Sequence, residues 1–319
     1  MKTRMVLLAL MTLICAACGS ESAPEGKETY EFVAKWGTPG SGDAQFASPK
    51  GIAIDSNGNV YVVDQGGQQI KHFKTDGTFV KKWGSYGSGD GQFSNPKGIA
   101  VNSNGVIYVA DMGNHRIQMF SAEGAFVAKW GSFGSGNGQF AYPVGITVDK
   151  NFYVYVTESN NNRVQKFDFT GVYQAKWGSS GSCDACFDTP EGIAADGSGY
   201  IYVADSMHRK IKKFDSDGTF IKMWGTSGSE AGQFDSVQSL AVDSQNNVYV
   251  TETNIDNDID NSNNRIQKFN GEGKFITTWG NFGSADGEMI RPFGVALDSL
   301  GNVYVVDNEN YRIQKFRKK

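Results

Sequence analysis

A tryptophan followed by glycine recurs along the chain at a nearly fixed interval, and this repeat restricts the possible folds more than any other feature. The interval is 47 residues four times in succession and then 55 residues once. A period of this length is typical of architectures in which one supersecondary unit is repeated many times. The six tryptophans are Trp36, Trp83, Trp130, Trp177, Trp224 and Trp279.

Each repeat unit contains four short runs of residues that favour β-strands, rich in Val, Ile, Tyr, Phe or Trp. Asn57-Gly58 and Asp76-Gly77 lie between such runs and supply the positive φ angles that tight hairpins require. Four antiparallel strands per unit, repeated around an axis, form the blades of a β-propeller. Six units therefore predict an all-β, six-bladed propeller. In the first unit the four runs are 51–55, 59–64, 69–74 and 78–83.

The two ends of the chain complement each other. The last unit stops after its third run, 312–316, and lacks the fourth run with its pattern Phe-Val-x-x-Trp-Gly. That pattern is present near the other end, at Phe32–Gly37, and residues 30–36 complete the period of 47. We therefore predict that the N-terminal strand 32–36 closes the last blade, which leaves no open sheet edge at the joint.

Three motifs within the unit resemble the NHL repeat. They are Gly-Ile-Ala-x-Asp at 51–55, Tyr-Val-x-Asp at 61–64 and Asn-His-Arg-Ile-Gln-x-Phe at 114–120. The resemblance covers residues 30–319 in six copies and implies a propeller domain over that range. It does not imply one activity, because propellers of this family have many unrelated functions.

The first residues are typical of an export signal. Lys2 and Arg4 precede an apolar run over 5–17, which is too short to span a bilayer. Small residues then precede Cys18, as in a bacterial lipobox, so we predict a signal peptide over 1–17, lipidation of Cys18 and a tether over 18–29. The protein is then exported and held at the bacterial membrane only by its lipid. Ordinary cleavage, which yields a soluble exported protein, is the alternative.

Composition argues against one class of partner. The net charge is −4 and the sequence contains no block of Lys and Arg. Because nucleic-acid binding depends on a field of positive charge, we expect no nucleic-acid partner. A monomer that meets an envelope protein, a glycan or a small molecule is the expected state.

Two departures from the repeat fall on the face that carries the long loops. In one loop, two positions have changed to Cys183 and Cys186, which in an exported protein predicts a disulfide. A redox-active pair is the alternative. The other departure is an eight-residue insertion in the fifth unit, where Asp256, Asp258 and Asp260 alternate as at the start of a calcium loop. A solvated acidic loop is the alternative, and no other cofactor is expected.

Every unit ends its second run with a carboxylate, and five units begin their third run with a base. Acid and base at matching strand ends are expected to pair and fasten the hairpin, rather than to form a metal or acid–base site. In the first unit Gln69 leaves Asp64 without this partner, so we interpret Asp64 as a candidate ligand-binding residue. The acids are Asp64, Asp111, Glu158, Asp205, Glu252 and Asp307, and the bases are Arg116, Arg163, Lys210, Arg265 and Arg312.

One position varies where its neighbours do not. It lies at the head of each innermost strand, in the motif Pro-x-Gly, and in a propeller it faces the mouth of the central channel. A ring of mixed charge there could orient a small polar ligand, and a water-filled mouth is the alternative. The ring consists of Lys50, Lys97, Val144, Glu191, Gln238 and Phe293.

These features predict a binding or scaffold propeller that presents a loop-rich face at the cell envelope. No catalytic constellation of residues is apparent in the sequence. The alternative is a propeller enzyme of the lyase or lactonase type, which the family resemblance allows, with its site at the channel mouth.

Overall fold

The computed structural model describes residues 28–253 and 263–319. Six four-stranded antiparallel sheets surround a central channel, which confirms the predicted six-bladed propeller. The signal peptide, Cys18 and the three aspartates of the proposed calcium loop lie outside the described residues and stay predictions. No helix in the described part of the chain has the length and apolar character needed to cross a membrane.

The blades follow one another along the chain, and in each the first strand lines the channel and the fourth lies outermost. Two pairs of two-residue strands, 226–227 with 233–234 and 281–282 with 288–289, lie in inter-blade loops, and Met112–Asn114 forms a 3₁₀ turn. The blade strands are Pro49–Ile54, Asn59–Asp64, Gln69–Lys74 and Phe79–Trp83 in blade 1; Pro96–Val101, Ile107–Asp111, Arg116–Phe120 and Phe126–Trp130 in blade 2; Pro143–Val148, Val154–Glu158, Arg163–Phe167 and Tyr173–Trp177 in blade 3; Pro190–Ala195, Ile201–Asp205, Lys210–Phe214 and Phe220–Trp224 in blade 4; Ser236–Val242, Val248–Thr253, Arg265–Phe269 and Phe275–Trp279 in blade 5; and Pro292–Leu297, Val303–Asp307, Arg312–Lys318 and Tyr30–Trp36 in blade 6.

The ring is closed by the N-terminal strand. Tyr30–Trp36 pairs antiparallel with Arg312–Lys318, and its register sets Phe32 opposite Phe316. Tyr30 also stacks on Trp279 of blade 5, with ring centroids 4.0 Å apart. The prediction that the start of the chain completes the last blade is confirmed.

The aromatic residues of the repeat form the core between blades. Phe46, Phe93, Phe140, Phe187 and Phe234 are fully buried. Each tryptophan ring except Trp279 lies against the glycine of the next blade's outer hairpin, and a Cβ on Gly77 would come within 2.9 Å of the Trp36 ring. These contacts show that the aromatic residues pack the blades together.

In blades 1, 2, 3, 4 and 6 the innermost strand approaches its neighbour so closely that glycine is required in the Pro-x-Gly motif. A Cβ on Gly98 would lie 2.3 Å from the carbonyl oxygen of Val144, and one on Gly145 would lie 2.3 Å from that of Glu191. This packing brings the variable residues of neighbouring motifs side by side at one end of the channel. Blade 5 departs from the motif and has Ser239 in place of the glycine.

Candidate functional site

Buried ion pairs fix the face that carries the inter-blade loops, which we call the long-loop face. In blade 2, Arg116 Nε donates to Asp111 at 2.8 Å, and its other nitrogens donate to the carbonyl oxygens of Ser88, Gly89 and Gln92. Asp111 accepts a further bond from the Ser94 N–H. Blades 3, 5 and 6 repeat this arrangement with Glu158, Glu252 and Asp307. In these four blades the predicted structural pairing is confirmed.

Blades 1 and 4 use a different base, which corrects two predictions. Asp64 is fully buried and lies 3.3 Å from Lys71, so it is neither free nor placed at the channel mouth. Asp205 pairs with Lys212 at 2.9 Å, whereas Lys210, the predicted partner, donates to the Gly225 carbonyl. The lysine two positions further along the third strand has replaced the base at the strand's start.

A change in the facing loop explains this exchange. In blade 2, Gly91 has φ of 73° and its N–H donates to Gln118 Oε1. Ala44 and Ala185 occupy the equivalent positions in blades 1 and 4 without a positive φ, because Cβ disfavours it. Lys71 and Lys212 occupy the positions equivalent to Gln118. Lys71 Nζ donates to the carbonyl oxygens of Gly42 and Gln45, and Arg116 donates to the equivalent carbonyl oxygens in blade 2.

The disulfide predicted between Cys183 and Cys186 is present, with the Cα atoms 4.8 Å apart. At the equivalent positions of blade 1, Gln45 Oε1 accepts a hydrogen bond from the Gly42 N–H. The same loop bond recurs before blades 2, 3, 5 and 6. The disulfide thus replaces a hydrogen bond that holds this turn in the other loops.

Loss of this disulfide should have a modest effect. Changing Cys183 and Cys186 to serine should lower the free energy of unfolding by about 2 kcal/mol, because the closed loop is short. Changing them to glycine and glutamine should recover part of the loss, about 1 kcal/mol, by restoring the repeat's hydrogen bond. Thermal unfolding with and without reductant checks both values. If the variant with glycine and glutamine is no more stable than the variant with two serines, the disulfide does not replace a stabilising hydrogen bond of the repeat.

At the channel mouth, the predicted ring divides into two parts. Lys97 and Glu191 form an ion pair at 2.7 Å that passes in front of blade 3 and its buried Val144. The Phe293 ring lies beneath two ammonium groups, 4.8 Å from Lys50 Nζ and 5.1 Å from Lys97 Nζ. The ion pair therefore covers one side of the mouth.

Directly below the mouth the channel narrows. Its wall is built by one aliphatic residue from each innermost strand, and the cavity there has a volume of only about 60 Å³. This volume is far below the several hundred Å³ of typical ligand pockets. This cavity is too small for a ligand of ordinary size, and a wider one of about 260 Å³ lies at the opposite end of the channel. The residues are Ile52, Ile99, Ile146, Ile193, Leu240 and Val295.

The open side of the mouth holds a pocket of about 270 Å³, which we call the mouth pocket. It lies where blades 5, 6 and 1 meet and combines two cations, two hydroxyls, two amides and one aromatic ring. Of the predicted ring it contains Lys50, Gln238 and Phe293. Its lining residues are Lys50, Ser236, Gln238, Thr253, Arg291, Phe293 and Asn308.

Lys50 has an unusual electrostatic position in this pocket. Its Nζ lies 3.4 Å from Asn308 Oδ1, and no carboxylate of residues 28–253 or 263–319 forms an ion pair with it. Burial, and then the neighbouring charge of Lys97, lowers the pKa of Lys50 to about 8. Its ammonium group is thus destabilised by its surroundings and suited to an added anion.

The hydroxyl and amide groups beside it are held in place. Gln238 Nε2 donates to Ser236 Oγ at 2.7 Å and approaches Thr253 Oγ1 at 3.4 Å. Asn308 Nδ2 donates to the Pro49 carbonyl oxygen at 2.6 Å, which leaves its Oδ1 toward Lys50. These bonds order the polar wall of the mouth pocket before any ligand binds.

The rim of the long-loop face carries exposed aromatic rings on one side. Tyr86 is 76% exposed, Phe133 is 68% exposed and Phe282 is 40% exposed, each in an inter-blade loop. Ser180 and Ser227 occupy the equivalent positions before blades 4 and 5. Aromatic surface of this kind, confined to part of one face, is a feature of interaction surfaces.

Sequence reasoning missed four residues of the mouth pocket: Ser236, Thr253, Arg291 and Asn308. The available clue was blade 5, where Ser236-Val237-Gln238-Ser239 lacks both the proline and the glycine of the motif. In the described ranges, no three His, Cys, Asp or Glu side chains are grouped so as to hold a metal ion.

Comparison with known families agrees with the geometry of the blades. The NHL repeat matches residues 46–73, 93–120, 140–167 and 290–316, which fall in blades 1, 2, 3 and 6. This chain is an NHL-repeat β-propeller. Over 43 residues, or 14% of its length, it is 49% identical to protein lin-41 of Caenorhabditis elegans. The matched segment is only 4% of the length of lin-41.

Solved structures resemble the NHL-repeat propeller over most of its length. A streptogramin B lyase has a TM-score of 0.61 at 16% identity, covering 92% of this chain and 98% of its own. A gluconolactonase from Xanthomonas campestris has a TM-score of 0.62 at 12% identity, covering 86% and 87%. A protein of unknown function from Bacteroides thetaiotaomicron has a TM-score of 0.66 at 16% identity, covering 92% and 76%. At these identities the likeness shows the fold alone.

Proposed function

We propose that this NHL-repeat propeller is a binding module whose mouth pocket takes a small hydroxylated carboxylate, such as an acidic sugar. The observation that carries the proposal is Lys50, a half-buried cation that forms an ion pair with no carboxylate of the described residues. The hydroxyls and amides of Ser236, Thr253, Gln238 and Asn308 supply hydrogen bonds for hydroxyl groups.

Size and shape support the same class of ligand. The volume of about 270 Å³ lies near the lower limit of ligand pockets, which favours a small molecule over a polymer segment. Phe293 provides one apolar face, against which the C–H face of a sugar ring can pack. The exposed rings of Tyr86, Phe133 and Phe282 on the same face can contact whatever carries the sugar acid.

Changing Lys50 to methionine should separate binding from stability. Because the ammonium group is destabilised by burial, the free energy of unfolding at pH 7 should rise by roughly 1 to 3 kcal/mol. Glucuronate should raise the melting temperature of the unchanged protein and have no effect on Lys50→Met. Glucose, which has the same hydroxyls without the carboxylate, is the matched control ligand and should bind more weakly.

The same lysine predicts the pH dependence. The folded-state pKa of about 8 lies below the usual value of 10.5, so protonated Lys50 costs stability below pH 8. That cost disappears as the pH rises from 8 to 10.5, and glucuronate binding should weaken over the same range as the charge is lost. Equal glucuronate binding at pH 7 and pH 10 would contradict the role given to Lys50.

The second candidate function is an enzyme of the lyase or lactonase type with its site at the same mouth. The lowered pKa of Lys50 favours it, since a partly neutral amine near physiological pH can act as a general base. Incubation with streptogramin B and with gluconolactone tests this directly. Turnover by the unchanged protein that Lys50→Met lacks would establish the enzyme, and absence of turnover with both substrates leaves the binding module.

We further propose that the propeller acts at the bacterial cell envelope as an exported monomer anchored through lipidated Cys18. The support is the sequence of the first eighteen residues alone. In cells, Cys18→Ala should move the protein from the membrane fraction to the soluble fraction. Retention of the variant at the membrane would reject lipid anchoring at this residue.

A further inference from the structure

The outer hairpins of neighbouring blades are joined by a repeated polar contact on the face opposite the long loops. Between blades 3 and 4, Lys166 Nζ donates to the Ser216 carbonyl oxygen at 2.9 Å and to Asp217 at 3.0 Å. Between blades 4 and 5, Lys213 makes the same contacts with Gly271 and Glu272. These junctions give a reference for the one between blades 2 and 3.

At the junction of blades 2 and 3, both charged residues of this contact and the residue that supplies the carbonyl oxygen differ from the reference. Met119 stands at the lysine position, Phe169 at the carbonyl position and Thr170 at the acid position. Asn102 stands where the other blades have an aspartate that accepts the buried tyrosine hydroxyl, as Asp149 does in blade 3. Four separate positions therefore depart from the reference junctions at a single place in the ring.

The substitutions leave space and do not close it. A pocket of about 330 Å³ lies between the hairpins of the two blades, and no charged side chain of residues 28–253 or 263–319 lines it. If the apolar residues served only to hold the blades together, close packing of their side chains would be expected to fill this volume. The lining residues are Asn102, Asn104, Val106, Tyr108, Met119, Phe152 and Phe169.

Backbone geometry at Phe152 gives an independent observation. Phe152 has φ of 64°, in the region where Gly58 and Gly105 stand at the equivalent hairpin position of other blades. A bulky residue in this conformation is strained relative to the glycine of those blades. Phe169, across the pocket, is 58% exposed although it is a large apolar residue.

We infer that this pocket is a second binding site, for one small uncharged molecule that inserts a hydrocarbon ring or chain between blades 2 and 3. The absence of charged lining residues selects against ionic ligands, because a buried charge without a partner is costly. The volume fits a single small molecule. The site lies on the opposite face from the mouth pocket and is independent of it.

Titration with the uncharged fluorescent probe N-phenyl-1-naphthylamine tests the site. The unchanged protein should bind it saturably, with one probe per chain. The double variant Met119→Lys, Phe169→Ser restores the lysine and the small residue whose carbonyl it contacts in the junction between blades 3 and 4, so it should fold and bind the probe about tenfold more weakly or not at all. Phe133→Ser removes an exposed ring from the long-loop face and should leave the affinity unchanged.

A second variant keeps the test decisive if the double variant unfolds. Phe152→Gly restores the residue found in most blades, so it should raise the melting temperature while it removes one wall of the pocket and weakens probe binding. Saturable binding that survives both variants, or binding abolished by Phe133→Ser, would overturn the assignment. Failure of the unchanged protein to bind the probe would overturn it as well.

Discussion

A chain that begins at residue 38, and so lacks the strand Tyr30–Trp36, is expected not to form a closed ring. Its last blade would keep three strands and expose the edge of Arg312–Lys318 together with the aromatic surface of Trp279. The loss is comparable with the whole free energy of unfolding, about 5 to 15 kcal/mol for a typical domain. Circular dichroism should show no cooperative thermal transition, and the exposed edge should promote aggregation.

A circular permutation provides the matched control. In blade 1 the residues 74–78 connect Phe73 to Phe79, a pair in the same register as Phe316 and Phe32. The permuted chain begins at residue 38, runs to Phe316, continues through a copy of residues 74–78, and ends with residues 32–37. Its last blade then has four consecutive strands, as the other blades do. This permuted chain should unfold near the temperature of the unchanged protein. A stable, monomeric shortened chain would contradict closure by the N-terminal strand.

Replacing Lys71 by methionine should destabilise the propeller strongly. Lys71 is fully buried, and the change leaves the buried Asp64 without a counter-charge and the carbonyl oxygens of Gly42 and Gln45 without their donor. Breaking such a pair from one side costs about 3 to 5 kcal/mol. The melting temperature should fall by roughly 5 to 15 °C, measured by calorimetry.

The other blades supply a rescue for this substitution. In blade 2 the equivalent positions hold glycine, arginine and glutamine, so the triple variant Ala44→Gly, Gln69→Arg, Lys71→Gln gives blade 1 the same bonding pattern. This triple variant should unfold within a few degrees of the unchanged protein. Two results would contradict the view that Lys71 replaces the arginine and glutamine of the other blades. One is an unchanged melting temperature for Lys71→Met, and the other is a triple variant that unfolds no higher than Lys71→Met.

The sequence was sufficient to predict the blade count, the closure and the disulfide because each rests on one repeated local pattern. Closure followed from a missing run at one end and its presence at the other. The Cys183–Cys186 pair followed from a departure within one short turn. Such local patterns do not require knowledge of how distant residues meet.

The partners of Asp64 and Asp205 were predicted wrongly for a physical reason. Strand pairing places Gln69 opposite Asp64, but a lysine two residues further has the length to reach the same carboxylate. The use of this lysine accompanies alanine at Ala44 and Ala185, and so depends on a backbone φ angle in a loop some 27 residues earlier. A comparison of loop and strand positions together would have found it.

The mouth pocket was predicted only in part because its members come from three blades. Lys50, Gln238 and Phe293 belong to the variable motif, whereas Asn308 lies at the end of a second strand and is oriented by its bond to the Pro49 carbonyl. Lys97 is ion-paired and Lys50 is not, because the Glu191 side chain reaches across the channel to Lys97. Neither fact is encoded in a local pattern.

A crystal structure of the protein grown with glucuronate near pH 7 decides whether the mouth pocket binds a sugar acid. We predict one sugar in the mouth pocket, with its carboxylate at Lys50 Nζ and one ring face against Phe293. A mouth pocket that holds only water at saturating glucuronate, or a sugar whose carboxylate lies away from Lys50, would contradict the proposed function.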